Sequence, residues 1–174
     1  MKQVRRAAGF TLLEIMLVLM IMAGGAVVVM SSNGSVDERR QSGKAGRLIA
    51  LMEYAADHAA MTGSPVGLQI TDSEYLFMMP QQRKATPVTW QWVPFSKGGL
   101  PADAQSFPPA WQAELLINGD VAEARDTPQI IFYPDGDITP FQLRITDNST
   151  AQPRFTFDCR GHWPVTVNNE MQNP

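Results

Sequence analysis

The chain has 174 residues, with 14 Lys and Arg against 17 Asp and Glu for a net charge of -3, a length that supports one domain with a real core plus an appendage. Its basic residues form no stripe interleaved with aromatics, so no nucleic-acid partner is expected. Cys159 is the only cysteine, and His58 and His162 are the only histidines. An internal disulfide and a Cys-x-x-Cys site are therefore excluded, zinc chemistry is poorly supplied, and no metal or cofactor is expected.

The charge is uneven along the chain. Lys2, Arg5 and Arg6 precede any acid, and without them 11 basic residues remain against 17 acidic ones, a net of -6. From Phe10 to Met30 every residue is apolar, Gly or Ala except Thr11 and Glu14. As a helix this run measures about 31 Å, the hydrocarbon thickness of a bilayer. Basic residues on its short side keep the amino terminus cytoplasmic and send the rest across, since a long downstream domain crosses despite Arg39, Arg40 and Lys44.

Three readings of this segment differ in what they make of Glu14. An ordinary secretory signal, cut at Ala23–Gly25, predicts a mature chain starting near Ala26 and leaves Glu14 as a defect in the apolar region. A permanent anchor carries Glu14 as a cost, about 2.5–3.5 kcal/mol at the centre of a span and less near the interface. Cleavage between Gly9 and Phe10 instead keeps the whole apolar helix and creates an amino group about one helical turn from Glu14. If such helices leave lipid and pack side by side, the amine of one can pair with Glu14 of another, which makes the carboxylate a register device.

"GFTLLE", Gly9 to Glu14, with a basic leader before it and an apolar run after it, resembles the cleavage and methylation motif of type IV pilins and pseudopilins. The resemblance implies that a membrane prepilin peptidase cuts after Gly9 and methylates Phe10. It assigns Thr11 and Glu14 to filament assembly, Glu14 standing where the family has the acidic residue that aligns subunits.

After Met30 the composition turns polar through "SSNGSVDERRQSGKAG". Leu48, Met52, Ala55 and Ala59 then recur at helical spacing, with Ile49, Ala56 and Ala60 beside them, predicting an amphipathic helix with an apolar face of largely small residues. Gly63 and Pro65 stop it. No proline precedes Pro65, so a helix from Phe10 to about Thr62, roughly 80 Å long, is open to the chain. Asn33-Gly34 and Gly43/Gly46 are points where it softens.

Beyond Pro65 the period becomes that of strands. "VGLQI" and "YLFMM" flank "TDSE" as a hairpin; "VTWQWVPF" alternates through Val88, Trp90 and Trp92; "AELLING" is a shorter strand; "QIIFYPDGDITPFQLRIT" carries two strands about "PDGD"; and "RFTFDCRGHWPVTV" closes the chain with another hairpin. Ser96 to Trp111 reads as a long surface loop and "VNNEMQNP" as a loose tail.

The expected fold class is α+β, pilin-like, a long amino-terminal helix packed on a β-rich, two-sheet antiparallel head. Its segments are a leader at 1–9, a membrane and filament-core helix at 10–30, an amphipathic continuation at 31–63 and a periplasmic head at 64–174. "IIFYPDGDITPFQLRI" is similar to a stretch in the heads of H-type minor pseudopilins of type II secretion systems and of related minor pilins. That resemblance implies a non-catalytic subunit near the tip of a periplasmic pseudopilus, linking the I, J and K minor subunits to the major G-type shaft. It also implies residence in inner-membrane lipid before assembly. A minor type IV pilin and a membrane-anchored periplasmic enzyme or binding module are the alternatives.

Sharper chemistry finds little support. Asp135 and Asp137 of "DGD" suit a solvated turn better than a calcium loop, which needs further acids. Asp57 and His58 are helix neighbours that point apart. Cys159 and His162 fall on opposite faces if one strand carries both. Trp90, Trp92, Trp111 and Trp163 are expected in core and subunit contacts.

Overall fold

Gly63 adopts φ +65° and donates its N–H to the Ala59 carbonyl at 3.0 Å, ending a helix, α1, that occupies residues 43–62. The left-handed conformation is one that glycine adopts at little cost, so the helix stops where the sequence predicted. The structure is a computed structural model and describes residues 13–16, 43–83, 87–95, 98–123, 125–148 and 152–169. The chain divides into two units, Met1–Lys44 and Ala45–Pro174. In the first, residues 13–16 are helical, and the rest of the apolar run, the leader and Asn33-Gly34 lie outside the described residues. Among the described residues no helix is long and apolar enough to cross a membrane.

In the second unit α1 buries Leu48, Met52, Ala55 and Ala59. Ile49 and Ala56 are half-buried, while Ala60, expected at the margin of the apolar face, is exposed beside Met61. Full burial of a Leu or Met contributes about 1.5–3 kcal/mol; the alanines contribute less area but let the helix backbone approach closely.

Among the described residues ten strands follow: β1 (Val66–Ile70), β2 (Glu74–Arg83), β3 (Thr89–Pro94), β4 (Gln105–Ser106), β5 (Trp111–Ile117), β6 (Asp120–Val121), β7 (Ile130–Phe132), β8 (Phe141–Asp147), β9 (Gln152–Cys159) and β10 (Thr166–Asn169). They form two antiparallel sheets. One has the order β3-β2-β1-β7, with β4 also on β2; the other runs β10-β9-β8-β5-β6. Buried residues of both sheets join those of α1 in one core, centred on Phe77, Phe132, Phe157, Leu68, Ile130, Leu143 and Ile145. Alternation makes this possible: β8 buries Phe141, Leu143 and Ile145 and turns Gln142, Arg144 and Thr146 outward.

The hairpins expected at "TDSE" and in "RFTFDCRGHWPVTV" are β1–β2 and β9–β10. β5 begins two residues before "AELLING" and ends at Ile117, where Asn118 (φ +55°) and Gly119 (φ +88°) turn the chain back into β6, a pairing of positive φ values that suits a two-residue hairpin. The two strands expected about "PDGD" are present as β7 and β8, but they do not pair with each other as a hairpin. β7 and β8 belong to different sheets. Local pairing across the turn ends at the Phe132–Ile138 bridge and the Thr139 N–H to Ile131 carbonyl bond of 3.0 Å, after which Pro140 precedes the crossing. The loop from Ser96 to Trp111 is likewise more than surface. It buries Leu100 and Phe107, contains β4, and delivers Trp111 into the core. Of the expected loose tail, Val167 to Asn169 are paired in β10; the remainder is outside the described residues.

Candidate functional site

The residues singled out for processing and assembly lie at the amino terminus. Gly9, Phe10 and Thr11 are outside the described residues. Glu14 is an exposed member of helical residues 13–16, where Leu13 is 76% and Met16 66% exposed and Ile15 is exposed too. Apolar side chains presented outward from a helix have the character of a segment destined for lipid or for other helices.

In the head, the segment between the two sheets is fastened by side-chain amides. Gln129 Oε1 accepts from the Ile70 N–H and Gln129 Nε2 donates to the Ile70 carbonyl, both at 3.0 Å. Gln69 Nε2 donates to the Arg125 carbonyl. Pro128 packs over Gly67 of β1: a Cβ at Gly67 would stand 2.4 Å from Pro128 Cγ and 3.0 Å from Trp92 Cζ3. Gly67 alternates with the buried Leu68, so Pro128 and Trp92 cover the face of the sheet away from the core.

The loop before β4 is held on α1. Tyr54 accepts a hydrogen bond from the Gly99 N–H at 2.9 Å, stacks near His58 at a ring distance of 6.0 Å, and His58 meets Phe95 edge-on at 5.0 Å. His58 therefore serves an aromatic cluster, and Asp57 is exposed on the helix. Phe107 N–H donates to the Ser73 carbonyl at 2.8 Å, with its ring 5.2 Å from that of Tyr75. Burial pushes the Tyr75 hydroxyl above its ordinary range, against the opposing pull of Arg47.

The other candidates resolve into structure. Asp135 Oδ1 accepts from the Asp137 N–H at 3.3 Å and Gly136 sits at φ +93°, so the "DGD" carboxylate is engaged in its own turn. Among the described residues no group of three or more potential ligands could hold a metal. Cys159 ends β9 and is buried, whereas His162 lies beyond the strand, so the two are not on opposite faces of one strand as expected; the thiol instead donates to the His162 carbonyl at 3.7 Å. Burial raises the Cys159 pKa and the carboxylate of Asp158 adds to it, outweighing backbone hydrogen bonds from Gly161 and His162. A raised thiol pKa makes a poor nucleophile at neutral pH.

The four tryptophans are not assembled into one platform. Trp111 is buried against Phe155 at 5.4 Å, Trp163 packs at the margin of the core, Trp92 covers Gly67, and Trp90 is 68% exposed. Sequence reasoning missed the buried Arg154–Asp147 ion pair of 2.5 Å, in which Arg154, the residue left without a register partner by a bulge in β9, reaches Asp147 of β8, itself opposite Gln152. It missed the Gln129 fastening as well. A signal for the first was present, since Arg154 begins the run "RFTFDC" where a strand entering the core expects an apolar residue.

The family model described as "Type II transport protein GspH" matches residues 44–169. The chain is 37% identical over 161 residues to the Type II secretion system protein H of Escherichia coli strain K12, covering 90% of this chain and 91% of that protein. It is 32% identical to the protein of the same name from Aeromonas hydrophila, covering 81% of each. The coverage of the first is more than residues 44–174 alone could supply, so the likeness reaches into the amino-terminal segment. The fold matches the solution structure of Escherichia coli GspH with a TM-score of 0.60 at 29% identity, over 76% of this chain and 89% of that one. It also matches the minor pseudopilin EpsH of Vibrio cholerae with a TM-score of 0.63 at 13% identity, over 77% and 99%, a likeness of fold.

Proposed function

The chain belongs to the type II transport protein GspH family, and from that premise we propose that it is a minor pseudopilin of a type II secretion apparatus. The observation that carries this reading is the family match across the head together with likeness to a Type II secretion system protein H along nine-tenths of the chain. The minor type IV pilin alternative is not favoured, because the named relatives belong to type II secretion.

In this reading the chain acts by assembling. The precursor enters the inner membrane through Phe10–Met30 with its amino terminus cytoplasmic and its head periplasmic, is cut after Gly9 and is methylated on Phe10. The apolar helix then leaves lipid for the filament core. Its register is set when Glu14 meets the amine of a neighbouring subunit, an attraction that offsets desolvation only when the geometry is good. The exposed Leu13, Ile15 and Met16 suit both surroundings, lipid first and other helices later. The subunit sits near the tip of the pseudopilus, joins the I-, J- and K-type minor subunits to the G-type shaft, and does no chemistry of its own. In keeping with that last point, the thiol, His58 and the acidic turn of the head are each engaged in local structure.

Deleting the gene in its host should stop release of the proteins that the apparatus exports, with release restored by the chain supplied in trans. Undiminished export in the deletion strain would refute the assignment.

A further inference from the structure

The free edges of the two sheets are closed to different degrees. β7, β6 and β10 end their sheets with three, two and four residues, whereas β3 offers six. Short, charged or proline-broken strands are how proteins keep sheet edges from pairing with other chains. β3 lacks the first two defences: Val88 to Val93 contains no charged residue and reads Val-Thr-Trp-Gln-Trp-Val, a composition strongly suited to a strand.

The phase of the ladder identifies the groups on offer. Phe95 N–H donates to the Phe77 carbonyl at 2.9 Å, and pairing continues through Val93–Met79, Gln91–Gln81 and Thr89–Arg83. In an antiparallel pair bonded and non-bonded positions alternate, so these odd-numbered residues turn their peptide groups toward β2. Trp90 and Trp92 turn theirs to the open side. Pro94 shares that outward phase, where its missing N–H costs the ladder nothing and ends the row. Among the described residues no strand pairs with this edge of β3.

The same strand also projects. β1 pairs with β2 only from Tyr75 to Met78, yet β3 pairs with β2 as far as Arg83. The outer part of β2–β3 is thus a two-stranded arm beyond the sheet, an arrangement marginally stable by itself in water. It carries exposed Trp90 and Val88, 68% and 59%. Between Glu74 and Asp103 there is no acidic residue, but there are Arg83, Lys84 and Lys97, in a chain whose net charge is -3.

We propose that the open edge of β3 is a docking site for an extended acidic strand of a partner protein. The strand pairs with the outward peptide groups of Trp90 and Trp92, lays apolar side chains against Trp90 and directs carboxylates toward the basic end of the arm at Arg83. Unpaired peptide groups favour a protein strand over a lipid surface, because lipid tails supply no hydrogen-bond partners. The proposal stands on the head alone and does not depend on the secretion role.

The probe is a capped, dye-labelled peptide of eight residues alternating Glu and Val, titrated by fluorescence anisotropy against the full chain in detergent micelles. Saturable binding is expected, about tenfold weaker for a Lys–Val counterpart and about tenfold weaker for Trp90→Ala or Arg83→Glu, an effect typical of losing a central aromatic or charged contact. A peptide with prolines at alternate positions should not bind, which separates backbone pairing from simple charge attraction. Trp90 and Arg83 are exposed, so neither substitution threatens the fold. Equal binding of the Glu and Lys peptides, full binding of the proline peptide, or indifference to Trp90→Ala would overturn the proposal. So would Trp90-dependent binding to phosphatidylglycerol vesicles in place of the peptide, which would assign the arm to a membrane surface.

Discussion

Pro128 and Gly67 meet so closely that no other residue fits the glycine's place: a Cβ there would lie 2.4 Å from Pro128 Cγ and 2.6 Å from its Cβ. The contact joins the crossing segment between the sheets to β1. Gly67→Ala is expected to destabilise the head by about 1–3 kcal/mol, the usual cost of overpacking. Adding Pro128→Ala should recover part of the loss. Urea midpoints of the two single variants and the double variant would show the coupling; additive effects would mean that the segment yields freely.

The buried Arg154–Asp147 pair behaves asymmetrically. Arg154→Met leaves a carboxylate in the interior without its guanidinium and is expected to cost about 3–5 kcal/mol, whereas the double replacement Arg154→Met with Asp147→Leu should return most of it. Thermal or urea unfolding of the parent and the two variants checks this, and an Arg154→Met variant as stable as the parent would show that water reaches the site.

Stability should fall on the alkaline side. Cys159 and Tyr75 both have pKa values raised in the folded chain above their ordinary 9.0 and 10.0. The folded state holds these protons more tightly than the unfolded one, so their contribution is complete below the unfolded values and is lost as pH climbs through the folded ones. Unfolding midpoints should hold steady near neutral pH and decline from about pH 9 upward. Cys159→Ala should lessen the first part of the decline; an unchanged profile would remove the thiol from the explanation.

Glu14→Ala should leave membrane insertion and cleavage intact while preventing incorporation into the pseudopilus, since the charge is a cost in lipid and an asset only beside another amino terminus. Co-purification with the shaft subunit and an export assay measure it, and normal values in both would dispose of the pairing role.

The intact mass of the mature chain should correspond to a start at methylated Phe10. A start at Ala26 would instead mark an ordinary secretory signal.

Local chemistry accounts for what was legible beforehand. The face of α1 at Leu48, Met52, Ala55 and Ala59 could be read because helical period and burial coincide there. The β1–β2 and β9–β10 hairpins could be read because their strands adjoin in sequence. Long-range choices were not legible. "PDGD" has the residues of a hairpin turn, yet whether the strand after it stays in its sheet depends on distant partners: β8 pairs with β5 and β9 rather than with β7. Phe107 and Leu100 were hidden in a segment whose prolines and glycines speak only of its backbone, and the β7-side fastening by Gln129 has no signature at all in a single sequence. The processing motif was the reverse case, legible from Gly9 to Glu14 by resemblance and lying mostly outside the described residues.

The Gln129 amide has a further consequence. By occupying both the N–H and the carbonyl of Ile70, it stands in for a peptide group and finishes the ladder one step beyond β7. An incoming chain finds nothing to bind at that end of β1. On the outer side of β7, Thr139 takes both the N–H and the carbonyl of Ile131, so the sheet has unlike ends, a covered margin at β7 and an uncovered one at β3 among the described residues.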